Sequence, residues 1–409
     1  MNADSGCRWR RSTRLRGLLG ALLAITLGLA ACSSDDGGGQ GGDDAQNGSP
    51  GGNQRVAPAA AKPAAAITLS PAAGAVDVSP TAPIAVAVKD GTIDSIALTN
   101  PDGKAVGGTL SKDRTSWAPS EPLGYDKTYT WSGSAVGADG NPVPITGAFT
   151  TVKPKRQPRA KINTGDGQTF GIAMPIAITF DAPITDKAAA QKALTVLPSV
   201  PTEGAWAWLD DRTVHWRPKA YWKPGTTVAV TAKLYGVAYG NGAYGREDLS
   251  SQFSIGRAQV VKANTRTHRW VVIRDGQQVA DYPASFGLDS DPGRVTTSGI
   301  HVVMGKSPTY KMTNRAYGYE DFPVNWAVRL SNNGVFSHAA PWSVGDQGKR
   351  NVSHGCANLS PKNAKEFYDS AIIGDPVEIE GSTNPLSAKD GDYYDWAISW
   401  DKWLAKSAL

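Results

Sequence analysis

From Ile67 onward the apolar residues of this 409-residue chain come in short alternating runs cut by Gly, Pro, Asp and Asn, a pattern that favours sheets over helices. Up to about Val152, runs such as Ile84-Ala85-Val86-Ala87-Val88 and Thr128-Tyr129-Thr130-Trp131 recur between turns about 8 to 12 residues apart, the mark of a β-sandwich. A second such stretch follows to Gly256, with Ile176-Ala177-Ile178-Thr179-Phe180 and Thr227-Val228-Ala229-Val230-Thr231 as its clearest strands.

The two stretches share a weak repeat. Trp117-x-Pro119 followed by Lys127-Thr128-Tyr129 matches Trp216-x-Pro218 followed by Gly225-Thr226-Thr227. The expectation is two tandem Ig-like sandwiches, residues 65–152 and 153–256, without an inter-sheet disulfide because neither holds a cysteine. His215 alternates with apolar neighbours and reads as a strand residue rather than a ligand. Tyr235, Tyr239 and Tyr244 read as a Gly-rich hairpin loop, with a glycan-binding surface as the alternative. Neither sandwich shows a catalytic set, so spacing is their simplest role.

The N-terminus has a different character. Five arginines between Arg8 and Arg16 precede the apolar run Leu18 to Ala31, too short to span a bilayer, and this reads as a signal peptide over residues 1–31. Its end, Leu29-Ala30-Ala31-Cys32, resembles the bacterial lipobox, which implies lipid on Cys32 and a body held at the outer face of the cell membrane, facing the wall. Residues 32–64, rich in Gly, Gln, Asn, Ala and Pro, read as a tether reaching about 30 Å from the lipid. The chain carries 42 Lys and Arg against 37 Asp and Glu. Removing five Arg and one Asp with the leader leaves 37 against 36, which argues against a nucleic-acid partner.

After Gly256 the pattern changes again. Arg269 to Arg274 and Gln278 to Pro283 flank Asp275-Gly276, a dipeptide suited to a type I′ hairpin turn. Strands at Ile300 to Met304 and Trp326 to Leu330 and a run from Gly334 to His338 follow. Ser360 as N-cap, Pro361 at the first helical position, Ala364, Phe367, Tyr368 and Ala371 on one face, and Gly374 at C′ then predict a helix. A strand returns at Val377 to Glu380. This third domain, residues 257–381, is mostly β with one main helix, and a Trp-rich extension covers residues 382–409. Trp396, Trp400 and Trp403 recur at helical spacing there, and the extension is expected to dock on protein.

Cys356 is the one cysteine after Cys32, so it has no internal disulfide partner. It stands in Ser353-His354-Gly355-Cys356-Ala357-Asn358, with His338 upstream at the end of a strand. A cysteine nucleophile needs a base and backbone N–H groups to hold an oxyanion, and two histidines beside a Gly-Cys turn can supply them. An inert buried cysteine, or a zinc ion held by His338, His354 and Cys356, are the alternatives.

The full motif is His338, fourteen residues, then Ser353 to Asn358. With Gly334-Val335-Phe336, Ala340 to Val344 and the Trp-rich tail, it resembles the L,D-transpeptidases, peptidoglycan cross-linking enzymes with a YkuD-type catalytic domain, in their mycobacterial and actinobacterial lipoprotein form. The resemblance implies that Cys356 is the nucleophile and His338 the general base. The N–H groups of Gly355 and Cys356 would form the oxyanion hole, with His354 shaping the site. Ser353, Asn358, Asn333, Gly334 and Trp342 would contact the donor peptide. It implies a tetrapeptide donor that loses D-Ala to a thioester, and a diaminopimelate amine acceptor giving a 3→3 cross-link. No metal or organic cofactor is implied, and carbapenem β-lactams are implied as covalent inhibitors. The alternatives are an L,D-carboxypeptidase using the same thioester and a non-catalytic wall-binding lipoprotein. Two departures stand out. Ala339 follows the histidine where relatives carry Ser, so a backbone carbonyl is the expected orienter of His338. The lid segment, between Met312 and Trp326, looks short, with Tyr317 or Tyr319 as its substrate-facing tyrosine, which implies altered donor specificity or weaker β-lactam acylation.

Overall fold

The computed structural model describes residues 61–391 and 393–409. The leader, Cys32 and nearly all of the tether lie outside the described residues.

The first sandwich packs one sheet, Ala66–Ser70, Ala85–Lys89, Ser116–Pro119 and Gly108–Leu110, on a second built around Gly91–Thr99 and Thr128–Gly137. Alternation along the strands points Val86, Val88, Tyr129 and Trp131 inward, where Trp117 meets Trp131 edge to face at 5.4 Å. The second sandwich pairs Thr169–Phe170, Leu249–Ile255, Thr227–Ala232 and Leu194–Pro198 against Gly204–Trp208, Thr213–Pro218, Ile176–Phe180 and Ala160–Ile162. The weak repeat has a physical basis. In each sandwich the repeat's tryptophan lies over a glycine of the neighbouring strand, and a Cβ on Gly108 or Gly204 would stand 2.0 Å from the indole of Trp117 or Trp216.

Tyrosines join the sandwiches. The Tyr125 hydroxyl donates to the Gly245 carbonyl at 2.7 Å and accepts from the Gly236 amide at 2.8 Å, while Tyr235 donates to the Leu123 carbonyl at 2.6 Å. Burial pushes the Tyr125 phenol up to about 12, so this junction stays protonated across the physiological range. Tyr235 and Tyr244 pack on the Tyr125 ring, Tyr239 is buried against Phe180, and the intervening backbone is the expected hairpin, Ala238–Gly240 with Ala243–Tyr244.

The third region holds two sheets. One has the order Gln277–Pro283, Arg269–Arg274, Gln259–Asn264, Pro376–Glu380, Gly299–Val302; the other runs Gly305–Asn314, Tyr319–Arg329, Phe336–Ala339, Ala357–Leu359. Asp275 and Gly276 have φ of 49° and 81°, as a type I′ turn requires. The helix Pro361–Ser370 starts where Ser360 accepts from the Asn363 amide and buries Ala364 and Phe367, the latter edge-on to Trp270. It ends at Ser370, so Gly374 is not its C′ residue. Gly374 instead lets the backbone of the second sandwich approach: a Cβ there would lie 2.7 Å from the Gly171 nitrogen, and Gly171 and Ala173 donate to the carbonyls of Ile373 and Gly374.

The Trp-rich extension folds back onto the second sandwich. Arg217 sits with its guanidinium carbon 4.8, 5.1 and 4.7 Å from the rings of Trp396, Trp400 and Trp403. The indoles of Trp396 and Trp403 donate to the Ala173 and Ala205 carbonyls. His215 lies in a strand, as expected, and its Nδ1 is 2.7 Å from Asp395, both fully buried.

Candidate active site

Phe336–Ala339 and Ala357–Leu359 are parallel neighbours, with His338 opposite Asn358. Because side chains alternate along a strand, Cys356 and Asn358 project to one face, and with His338 they line a single cavity of about 310 Å³. Ser353, His354, Val352 and Trp342 complete one wall. Met312, Tyr319, Phe322 and Val324 of the long hairpin Gly305–Asn314 and Tyr319–Arg329 complete the other. The segment expected to be the lid is therefore the end of a two-stranded hairpin closed by a 3-10 turn, Arg315–Tyr317. Phe322 meets Trp342 edge to face at 5.2 Å, both half exposed, at the cavity mouth.

His338 Nδ1 is 2.9 Å from the Ala339 carbonyl, the backbone orienter expected in place of a serine hydroxyl. A carbonyl only accepts, so Nδ1 carries the proton and Nε2 is left as the base. Burial pushes the imidazole down to about 4, so it is neutral near pH 7. Burial likewise pushes the Cys356 thiol up to about 11, against a smaller opposing pull from the Phe336 amide. The thiol donates to the Gly334 carbonyl at 3.6 Å. The resting pair is thus a neutral thiol and a neutral imidazole, and the thiolate forms only as its proton leaves.

The turn before the cysteine is tightly held. Ser353 Oγ donates to the Cys356 carbonyl at 2.7 Å and accepts from the Gly355 amide at 3.1 Å. The Gly355 N–H is therefore already engaged and is not available to an oxyanion in this state, whereas the Cys356 N–H has no partner among the described residues. Gly355 has φ of 116°, open to glycine and costly for other residues. Around the turn, Thr296 donates to the Gly355 carbonyl and Ser285 to the Arg350 carbonyl, and Arg294 donates through Nε to the Ser353 carbonyl and through Nη2 to the Val352 carbonyl.

His354 is exposed at the cavity rim, with the rings of Tyr317 and Tyr319 at 5.0 and 5.5 Å. Desolvation and the nearby Arg294 charge both lower its pKa. Tyr319 lines the cavity, whereas Tyr317 reaches the site through His354 and donates to Asp291. Asn333 does not line it. Its side chain donates to Asp390 of the C-terminal extension at 3.3 Å, and its amide donates to the Asp390 carbonyl. Gly334 contributes its carbonyl to the thiol rather than a wall to the cavity. Asn358 donates to Ser343 at 3.1 Å, which fixes the short turn carrying Trp342. Among the described residues no three His, Cys, Asp or Glu side chains converge on a metal position. Sequence reasoning missed the individual roles of Ser285, Arg294 and Thr296, whose loop carries no motif and acts through backbone carbonyls. It also missed Met312, Phe322 and Val324 as cavity walls, although it had marked their segment as the lid.

The model of the L,D-transpeptidase catalytic domain, YkuD, matches residues 258–379, and that of a bacterial Ig domain, Big_10, matches 75–238. L,D-transpeptidase 5 of Mycobacterium tuberculosis is 53% identical over 351 residues, covering 85% of this chain and 78% of its own length. L,D-transpeptidase 2 of the same species is 37% identical over 404 residues, 96% of either chain. A solved structure of the L,D-transpeptidase LdtMt1 in complex with imipenem is 34% identical, covers 56% of this chain and all of its own, and has a TM-score of 0.47.

Proposed function

The chain belongs to the L,D-transpeptidase family, and we propose that it forms 3→3 peptidoglycan cross-links through a Cys356 thioester. The observation that carries this reading is that His338, its Nδ1 committed to Ala339, and Cys356, just before the neighbouring strand, line one apolar cavity. As Cys356 sulfur attacks the carbonyl of the donor's third residue, His338 Nε2 takes the thiol proton. The Cys356 N–H is the backbone donor at hand for the oxyanion. Collapse breaks the peptide bond, His338 returns the proton to the leaving D-Ala amine, and the thioester remains. A diaminopimelate side-chain amine of a second stem then attacks, His338 removes its proton, and the thiol is restored. Lipid on Cys32 and the tether behind it would hold this site outside the membrane at wall height.

The test incubates the protein with disaccharide-tetrapeptide and follows products by mass spectrometry. Cross-linked dimer with free D-Ala is expected, and neither should form with Cys356→Ala. Dimer from that variant would overturn the mechanism, and tripeptide without dimer would make hydrolysis the activity. Carbapenem exposure is expected to leave a covalent adduct on Cys356.

A further inference from the structure

Arg294 lies in the irregular loop between Pro283 and Gly299, and its guanidinium clasps two consecutive carbonyls, Val352 and Ser353, immediately before His354-Gly355-Cys356. It is only partly exposed, yet among the described residues no carboxylate comes within ion-pair distance of it. Its Nη1 has no hydrogen-bond partner among them either. The nearby Asp291 is turned to other donors, the Gly293 amide and the Tyr317 hydroxyl. Two carbonyls take part of its donors but none of its charge, and a carboxylate that arrives with the substrate would supply the charge-assisted partner it lacks.

The position suits one. The two carbonyls that Arg294 holds belong to Val352 and Ser353, which line the cavity together with His354 and Cys356, and the adjoining Gly293 lies against the Tyr317 hydroxyl, whose ring packs on His354 at the rim. In the proposed donor the terminal carboxylate carbon is three bonds from the carbonyl carbon that sulfur attacks, which brings the anion to this rim. We propose that Arg294 is a specificity-determining residue that binds the terminal carboxylate of the donor peptide. The inference rests on the transpeptidase reading above.

The test uses two donors that differ only in ending as D-Ala carboxylate or D-Ala carboxamide, with wild type, Arg294→Lys and Arg294→Gln. Release of the terminal residue is followed by mass spectrometry, and alkylation of Cys356 by neutral iodoacetamide reports on the turn. Wild type is expected to prefer the acid by roughly ten- to a hundredfold in kcat/KM, the range of a charge-assisted hydrogen bond. Arg294→Gln should lose that preference, mainly through KM on the acid, Arg294→Lys should keep most of it, and alkylation should hold within about twofold. Equal losses on both donors with altered alkylation would make Arg294 a prop of the turn alone and overturn the proposal. So would an unchanged preference in Arg294→Gln. Release from neither donor by wild type would instead sink the transpeptidase reading itself.

Discussion

The buried Cys356 thiol sets a measurable rate. With its pKa near 11, roughly one molecule in 3,000 is thiolate at pH 7.5, against roughly one in 30 for a thiol near 9. That hundredfold deficit is partly offset, because a more basic thiolate is intrinsically more nucleophilic, with a Brønsted slope of about 0.4 to 0.5. Alkylation at pH 7.5 should therefore run about tenfold slower in the folded protein than in the urea-unfolded chain. Peptide-level mass spectrometry of Cys356 with iodoacetamide keeps the other cysteines out of the measurement. The folded rate should rise about tenfold per pH unit from 7 to beyond 9.5, and His338→Ala should leave it within about twofold at pH 7.5 while abolishing D-Ala release. A plateau below pH 9, or a fast rate at pH 6 that vanishes in His338→Ala, would show a resting thiolate-imidazolium pair and refute the reasoning.

Acid should destabilise the fold through His338. Its folded pKa of about 4 lies below the unfolded value, so as pH falls from about 6.5 to 4 the unfolded chain takes a proton that the native state refuses, a loss approaching 3 kcal/mol that His338→Gln should escape in urea titrations at pH 7.5 and 4.5. Ser353→Ala removes two of the bonds that hold the cysteine turn and should cut D-Ala release by about tenfold or more, while the helix-borne circular dichroism stays the same. Asp395→Ala leaves His215 buried without its carboxylate, and should lower stability by about 3 kcal/mol and open the chain after residue 382 to limited proteolysis.

What could be read from the sequence was what neighbours in the chain decide. The Asp275-Gly276 turn and the Ser360-Pro361 helix start follow from local φ preferences and capping, and they stand where the pattern put them. The proximity of His338 and Cys356 was legible only through the motif, since no periodicity tells which strands pair. What the pattern could not show is which groups meet once the chain has folded. Gly374 looked like a helix terminus because glycine serves there, but its freedom is used for contact with Gly171, some 200 positions earlier. The Gly355 amide is held by a side chain two residues back, and the Asn333 side chain by Asp390 in a separate element, and no local pattern marks either bond.

The docking of the tail has a consequence for how the catalytic region can come apart. That region enters from the second sandwich at Gly256, whose amide donates to the Phe170 carbonyl, and it is fastened to the same sandwich again where Trp208 donates to the Lys406 carbonyl. While both fastenings hold, a partial opening of the intervening 150 or so residues releases less chain entropy, because the ends of the loop stay pinned. A disulfide could serve as such a clasp, but it would offer an exchange partner to the thiol on which turnover depends. Indoles, a guanidinium and an imidazole-carboxylate pair close the circuit instead, and leave the sulfur of Cys356 with no redox rival among the described residues.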